Sequence, residues 1–496
     1  MRESGILMPV FSLPSKFGIG CFSKEAFEFV DFLERSGQGY WQILPLGPTG
    51  FSNSPYQPTS AFAGNPYFIS PETLIEEGLL TWEDVNGLFF GANEEQVDYG
   101  ALYENRFLLL RKAYERFSEK SEDTKAYKTY QKKEAFWLED YALFTALKEE
   151  QKGMPWYLWE KPLKYREPEA MKTAEKRLHR EIDLIKFRQF EFDRQWQKLR
   201  TYAAEKKVKI IGDLPFYLSL DSADVWAHPE VFQMDKHLEP KVVAGCPPDA
   251  FSGDGQLWGN PIYDWKALEK QDYEWWVRRM RRNYELFDVI RIDHFHGFCD
   301  YYAIPYGSEN ARNGTMQKGP GMKLFDVLKK EIGDLRIIAE DLGNATKENV
   351  KLLEETGFPG MKVLQFAFTS WESCYVTHRH IQNCVVYTGT HDNTTARAWV
   401  EEISDGEREF TRNYLNSIHT DYGQLVWDFI REAYRSVAEL CIVPLQDYLC
   451  KGREARINTP GVAEGNWQWR LKPNFLSEDL ARSIRKLSET YSRVPK

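Results

Sequence analysis

Acidic side chains close several apolar runs in this chain, and their placement is the first feature in it that could do chemistry. VKIIGDLPF carries Asp213, FDVIRID ends on Asp293, RIIAED ends on Glu340 and Asp341, and CVVYTGTHD ends on Asp392. Any one of these acids reads equally well as a helix cap or a solvated loop residue. Four run ends of this kind in one chain ask for another reason. Side chains alternate between the faces of a strand, so Arg291 shares a face with Asp293, Ile338 with Glu340, and Thr390 with Asp392. Two carboxyls held about 5–5.5 Å apart can break and remake an acetal linkage with retained configuration, one attacking the carbon and the other protonating the leaving oxygen. On this reading Arg291 lowers the pKa of Asp293 and keeps it as the anionic nucleophile. The apolar IIA ahead of Glu340 partly desolvates that acid and keeps it protonated, as general acid and then base. Asp392 is expected to favour the distorted, cationic transition state.

Such acids need a scaffold that brings strand ends together. Eight apolar runs of strand length recur: Gly5–Val10, Tyr40–Leu46, Val208–Phe216, Phe287–Asp293, Arg336–Asp341, Met361–Phe368, Cys384–Asp392 and Leu440–Asp447. Helical patterns fill most intervals. After the first run, Ser23 stands as a cap, Ala26, Phe29, Val30 and Leu33 keep helical spacing, and Gly37 is the stop. After the fifth, Asn344 or Thr346 is the cap, Val350 and Leu353 share a face, and Gly357 and Pro359 terminate. Continuous apolar runs are what a parallel sheet covered on its outside requires. The expected fold is therefore α/β, a (β/α)8 barrel with large insertions and with its active groups at the C-terminal ends of the strands. Residues 1–75, 176–216 and 286–496 are assigned to the barrel, 76–175 to a mostly helical insertion, and 217–285 to an irregular subdomain over the cleft.

Composition removes several other classes. The net charge of −10 is spread without a basic block, so nucleic acid is not an expected partner. No apolar stretch reaches the length of a membrane span, and the opening MRESGILMPVFSLPSKFG makes a poor secretory signal because Pro9 interrupts its apolar patch. Seven cysteines, with no C-x-x-C pair among them, suit a reducing cytoplasm rather than a zinc site or a disulfide framework. No G-x-G-x-x-G opens a helix after a strand. His294 and His296 form an H-x-H with no third metal ligand evident by spacing, and no cofactor is expected. Aromatic residues reach 15%, which fits either a core rich in rings or surfaces that pack against the C–H faces of sugars.

The motifs RIDHFHG (291–297), AED (339–341) and THDN (390–393) resemble the α-amylase clan. Longer strings narrow the resemblance to the 4-α-glucanotransferases of glycoside hydrolase family 77, also called amylomaltases or disproportionating enzymes. These are WQILPLGPTG with SPYQ and SAFAGNP, GDLPFYLSLDSADVWAHPEVF, AGCPPDAFSGDGQLWGNPIYDW, PGMKVLQFAF, and NTPG with EGNWQWR. They run in order through nearly the whole chain. The resemblance implies a retaining double displacement in which Asp293 takes up a glucan segment and the 4-hydroxyl of another sugar receives it. It implies substrate contacts at Tyr56, Asp213, Asp249, Trp258, Arg291, His294, His391 and Asn458, no metal or cofactor, and α-1,4-glucans and maltooligosaccharides as partners of a monomer or weak homo-oligomer. His294 and His391, which adjoin the acids, are expected to serve as donors to sugar hydroxyls rather than as packed core histidines. The Gly-rich segment 247–258, with Phe251 and Trp258, has the make-up of a mobile lid with an aromatic face, although Trp258 also reads as an anchor for that loop. A hydrolase of the same clan and a catalytically inactive glucan-binding barrel stay open as alternatives.

Overall fold

The computed structural model describes residues 2–50, 52–119, 124–248, 253–343 and 345–495. Eight parallel strands close into a barrel: β1 (Glu3–Leu7), β2 (Tyr40–Gln42), β3 (Lys209–Leu214), β4 (Val289–Ile292), β5 (Ile337–Ala339), β6 (Gly360–Val363), β7 (Cys384–Tyr387) and β8 (Leu440–Pro444). Around the barrel their order is β1-β8-β7-β6-β5-β4-β3-β2. Each overlaps one of the eight expected runs, and the (β/α)8 architecture is as anticipated. Leu7, Ile211, Ile338, Met361, Val363, Val385, Tyr387 and Ile442 form one buried cluster drawn from the strands. Two residues further along the same faces as Ile211 and Ile338 stand Asp213 and Glu340, so the apolar cluster leads directly up to the acids. Outside the barrel, Gly212 lets Phe287 pack flat on β3, since a Cβ there would lie 2.1 Å from that ring.

Helices cover the outside. In α1 (Lys24–Arg35) the expected face, Ala26, Phe29, Val30 and Leu33, is buried, and Gly37 lies just past the helix at φ +68°. Ser23 is the capping residue by position, but its hydroxyl donates to the Glu25 carboxylate and leaves the helix amides alone. The insertion contributes α2 (Tyr99–Glu119) and α3 (Thr124–Glu150), which pack with the long α4 (His179–Glu205). Buried Arg106 of α2 donates from Nη2 to the carbonyls of Tyr67 (2.7 Å) and Ile69 (2.5 Å), tying the insertion to the loops after β2. Lys148 of α3 pairs with Asp221 at 2.5 Å, and Trp156 Nε1 donates to the Leu220 carbonyl at 2.7 Å.

A second, antiparallel sheet lies beyond the barrel, in the order 256–261, 242–246, 300–305, 315–318. Its last two strands come from downstream of the expected 217–285 segment, because antiparallel pairing joins the segment after β4 to the one before it. Below that sheet, Phe216, Tyr263, Trp265, Trp276 and Phe298 pack ring against ring, with α5 (Glu274–Leu286) supplying Trp275 and Trp276. Most of the aromatic surplus is thus core. In α6 (Lys347–Thr356), Thr346 caps the Asn349 amide and Gly357 ends the helix, while Asn344 lies outside the described residues. Its buried side is formed by Asn349 and Leu352. Val350 points to solvent and Leu353 is half-buried, one step of rotation from the expected face.

Candidate active site

Strand register assembles the acids. Asp213 on β3 pairs with Arg291 on β4, and Ile292 pairs with Ala339 on β5. Asp293 and Glu340 are therefore the next residues on neighbouring strands. The ladder continues one step beyond the strands, with the Asp293 amide donating to Leu214 O at 3.1 Å and the Glu340 amide to Ile292 O at 3.0 Å. His294 then turns the chain in a left-handed conformation, φ +49° and ψ +50°. A non-glycine residue held there is strained, and the turn aims its amide at Glu340 Oε2, 2.8 Å away. The Leu342 amide donates to the other oxygen, Oε1, at 2.9 Å. Asp341, the next acid, serves the barrel instead: its carboxylate accepts the Met361 amide of β6 at 2.7 Å.

Arg291 lies at the centre of the remaining groups. Its Nη1 donates to both oxygens of Asp213 at 2.7 Å and to Asp293 Oδ1 at 3.2 Å. Tyr56 donates to Asp213 Oδ2 at 2.9 Å, and its hydroxyl lies 3.3 Å from His391 Nδ1 with the two rings stacked 4.8 Å apart. His391 Nε2 is 3.3 Å from Asp392 Oδ2, and Asn458 Nδ2 donates to Asp392 Oδ1 at 2.6 Å. One polar network thus links the ends of β3, β4 and β7 with the loops after β2 and β8. The side chains of Asp213 (0% exposed), Arg291 (3%) and His391 (2%) are sealed within it, whereas Asp293 (29%) and Asp392 (43%) open to the cleft. Trp258 packs edge-on against His294 at 5.0 Å, and Tyr217 lies 6.2 Å from the same ring. Trp258 belongs to the strand Gln256–Pro261, bonded to Val242–Cys246. Asp249 and Phe251 lie outside the described residues.

The electrostatics depart from expectation at Asp293. Burial raises its pKa, and although Arg291 pulls it down, the charges of Glu340, Asp213 and Asp392 push it up again, to about 7. Arg291 gives its closest contacts to Asp213, which leaves Asp293 with the longer bond. Asp392 goes the other way. Burial alone would raise it, but the charge and hydrogen bond of His391 and the bond from Asn458 together hold it well below the usual carboxylate range. For His391, burial is outweighed by the Asp392 charge and hydrogen bond, and its pKa rises. His294 is pushed down to about 4, first by burial and then by His296, so it stands neutral.

Arg456 has no place among the expected site residues, yet it shapes the site. It donates from Nε to the Asn458 carbonyl and from Nη2 to the Asp392 carbonyl, each at 2.8 Å, clamping the two loops that meet at Asp392. Its one linear signal is a position two residues before Asn458. Among the described residues no cluster of three or more His, Cys, Asp or Glu is placed to hold a metal ion. A separate hollow of about 210 Å³ between Phe136, Trp137, Asp224 and Arg278 contains none of the acids above.

A closed parallel barrel that gathers carboxylates at neighbouring strand ends has the architecture of the glycoside-processing barrel class. The family described as 4-alpha-glucanotransferase, glycoside hydrolase 77, matches residues 8–477. The 4-alpha-glucanotransferase of Clostridium butyricum is 47% identical over 489 residues, covering 98% of this chain and 100% of that protein. That of Streptococcus pneumoniae serotype 4 is 43% identical over 496 residues, covering 99% and 98%. The solved amylomaltase from Streptococcus agalactiae, in complex with acarbose, superposes with a TM-score of 0.97 at 38% identity over the full length of both chains. The chain belongs to the 4-alpha-glucanotransferase family.

Proposed function

We propose that this glucan-transferring enzyme moves α-1,4-glucan segments from a donor maltodextrin to the 4-hydroxyl of an acceptor sugar through a covalent intermediate on Asp293. In the first step a carboxylate oxygen of Asp293 forms an ester with the anomeric carbon. The C1–O4 bond breaks, and Glu340 gives its proton to the departing O4. In the second, Glu340 takes the proton from an acceptor O4–H as that oxygen attacks C1 and displaces Asp293. Two inversions return the original configuration. Asp392, kept anionic by His391 and Asn458, faces the positive charge that develops on the sugar ring between the steps. Asp213, Arg291 and His391, sealed beneath the cleft, frame the reacting acids rather than contact sugar, while Tyr56, His294, Trp258 and Asn458 border the donor sugar's position.

The observation that carries this reading is that Asp293 and Asp392 alone among the networked acids open to the cleft, with Glu340 tied to the amide next to Asp293. General acid–base groups contribute about 10²- to 10⁴-fold, so Glu340→Gln is expected to lose that much kcat on maltotriose. A fluorinated glucosyl substrate that traps the ester is expected to add its mass to the peptide carrying Asp293. An adduct on any other acid would overturn the assignment, as would a pH–rate profile unaltered by Glu340→Gln. Maltotriose converted to longer maltodextrins, together with glucose or maltose, distinguishes transfer from a hydrolase, which only shortens chains. The seven free cysteines support a reducing cytoplasm as its setting.

A further inference from the structure

Asp447 closes the eighth apolar run, yet unlike Asp293 and Asp392 it does not open to the cleft. It lies in the helical turn Leu445–Tyr448 that follows β8 and is 1% exposed. Among the described residues no Lys, Arg or His pairs with it. Burial pushes its pKa up to about 6, against the pull of the Ala396 amide and the Thr388 hydroxyl. A buried acid without a counter-charge is costly, and its bonds have to account for its presence.

Both of its oxygens are spent on one loop. Oδ2 accepts the Thr388 hydroxyl at 2.6 Å, and Oδ1 accepts the Ala396 amide at 2.7 Å. Thr388 is the first residue after β7, and Ala396 is the first residue of α7 (Ala396–Glu402). Between these two feet the chain carries His391 and Asp392. The turn in the middle is bonded within itself. Asn393 Oδ1 accepts both the amide and the hydroxyl of Thr390, each at 2.9 Å, and the Asp392 amide donates to Thr390 Oγ1 at 3.3 Å. Gln365 Nε2 supports it from the end of β6, donating to the Thr394 carbonyl at 2.8 Å. A turn bonded in this way moves as a unit, so the direction of the Asp392 carboxylate follows the placing of its feet. Arg456 and Asn458 grip Asp392 directly, whereas Asp447 fixes where its loop begins and where it ends.

We infer that Asp447 is a positioning residue of the transfer reaction, clasping both feet of the loop Thr388–Ala396 so that Asp392 meets the charge developing on the donor sugar. It touches no sugar and acts through Asp392. A carboxylate suits the task because it offers two acceptors in a fixed fork, one for each foot. The bonds from a buried charged acceptor are also the strong ones. The inference rests on Asp392 as the acid that favours the transition state.

The test uses the full-length enzyme with maltotriose as donor and acceptor. Asp447→Ala is expected to lower kcat about 10- to 10²-fold with KM within about twofold, the pattern of an interaction made in the transition state. In Asp447→Asn the amide oxygen accepts the Ala396 amide and the amide NH2 donates to the Thr388 hydroxyl, which accepts as readily as it donates, so kcat returns to within about fivefold. Placed in an Asp392→Asn background, Asp447→Ala is expected to add less than about twofold, because an acid already removed needs no placing. A merely structural residue would cost the same factor in both backgrounds. That additive loss, a normal kcat in Asp447→Ala, a rise in KM alone, or an Asp447→Asn as damaged as Asp447→Ala would each overturn the inference. Should Asp447→Ala fail to fold, Thr388→Val, which removes one of the two bonds, takes its place in the same comparison. A damaged Asp392→Asn beside an intact Asp447→Ala overturns the inference alone, whereas a fully active Asp392→Asn overturns the reading of Asp392 and the inference with it.

Discussion

Asp293 is held between opposing influences, and the balance has two measurable consequences. Its pKa of about 7 reflects burial first, then Arg291 pulling down against three neighbouring acids. Attack requires the anion, so kcat/KM is expected to fall about tenfold per pH unit on the acid side of about pH 7. A profile flat from roughly pH 5.5 to 7.5 would sink this expectation. The same displacement affects folding. Between the ordinary carboxylate value and about pH 7, the native state keeps a proton that the unfolded chain has released, so stability declines as pH rises through that window. Above it the full cost of the buried anion is present. Asp293→Asn removes that cost, and the variant is expected to melt above the wild type near pH 8, with the difference vanishing at about pH 4. Calorimetry at the two pH values checks the sign. Gain of stability in exchange for lost activity is the usual pattern where a site holds strained or destabilised groups.

At the scale of elements, the site depends on loops that are not consecutive in sequence. Asp392 stands just after β7 and Asn458 lies beyond β8, and Arg456 bonds the carbonyls of both. Arg456→Ala is expected to leave the protein folded and KM within about twofold, while kcat drops up to about 10²-fold because a misplacement of about 1 Å suffices for that. Partial recovery with Arg456→Lys would mark a positioning role, whereas an equal loss of melting temperature and activity would mark a structural one. The buried helix faces that hydrophobic spacing indicates are met in α1 and slip in α6. In α1, four apolar residues at helical spacing leave one choice of inward side. In α6 the apolar residues are few, and Leu352 competes with Val350 for the inward side. The rotation that buries Leu352 also buries Asn349, whose Nδ2 donates to Asp300 Oδ1 at 3.4 Å, a partner that no local pattern reveals.

Across the whole molecule, many polar contacts fasten the insertion to the rest of the chain, and buried Arg106 makes two of them. Arg106→Met keeps much of the side-chain volume but leaves the Tyr67 and Ile69 carbonyls without their charged donor. Hydrogen bonds from charged groups contribute about 1.5–3 kcal/mol each, so the first unfolding transition is expected to weaken by about 2–4 kcal/mol in denaturant. An unchanged midpoint would show that these two bonds add nothing to the stability of the seam. The eight strands were legible in the linear chain, because buried parallel strands must be continuously apolar, and so was the placement of Asp293 and Glu340 at the ends of neighbouring strands. The second sheet was not, since its strands come from both sides of β4 and no local pattern announces which segments will pair. Tertiary structure alone decided which polar groups reach the cleft. Residue type cannot separate Asp213, sealed under Arg291, from Asp392, open to solvent, because burial and the sum of neighbouring charges are properties of the assembled barrel and not of any segment of it.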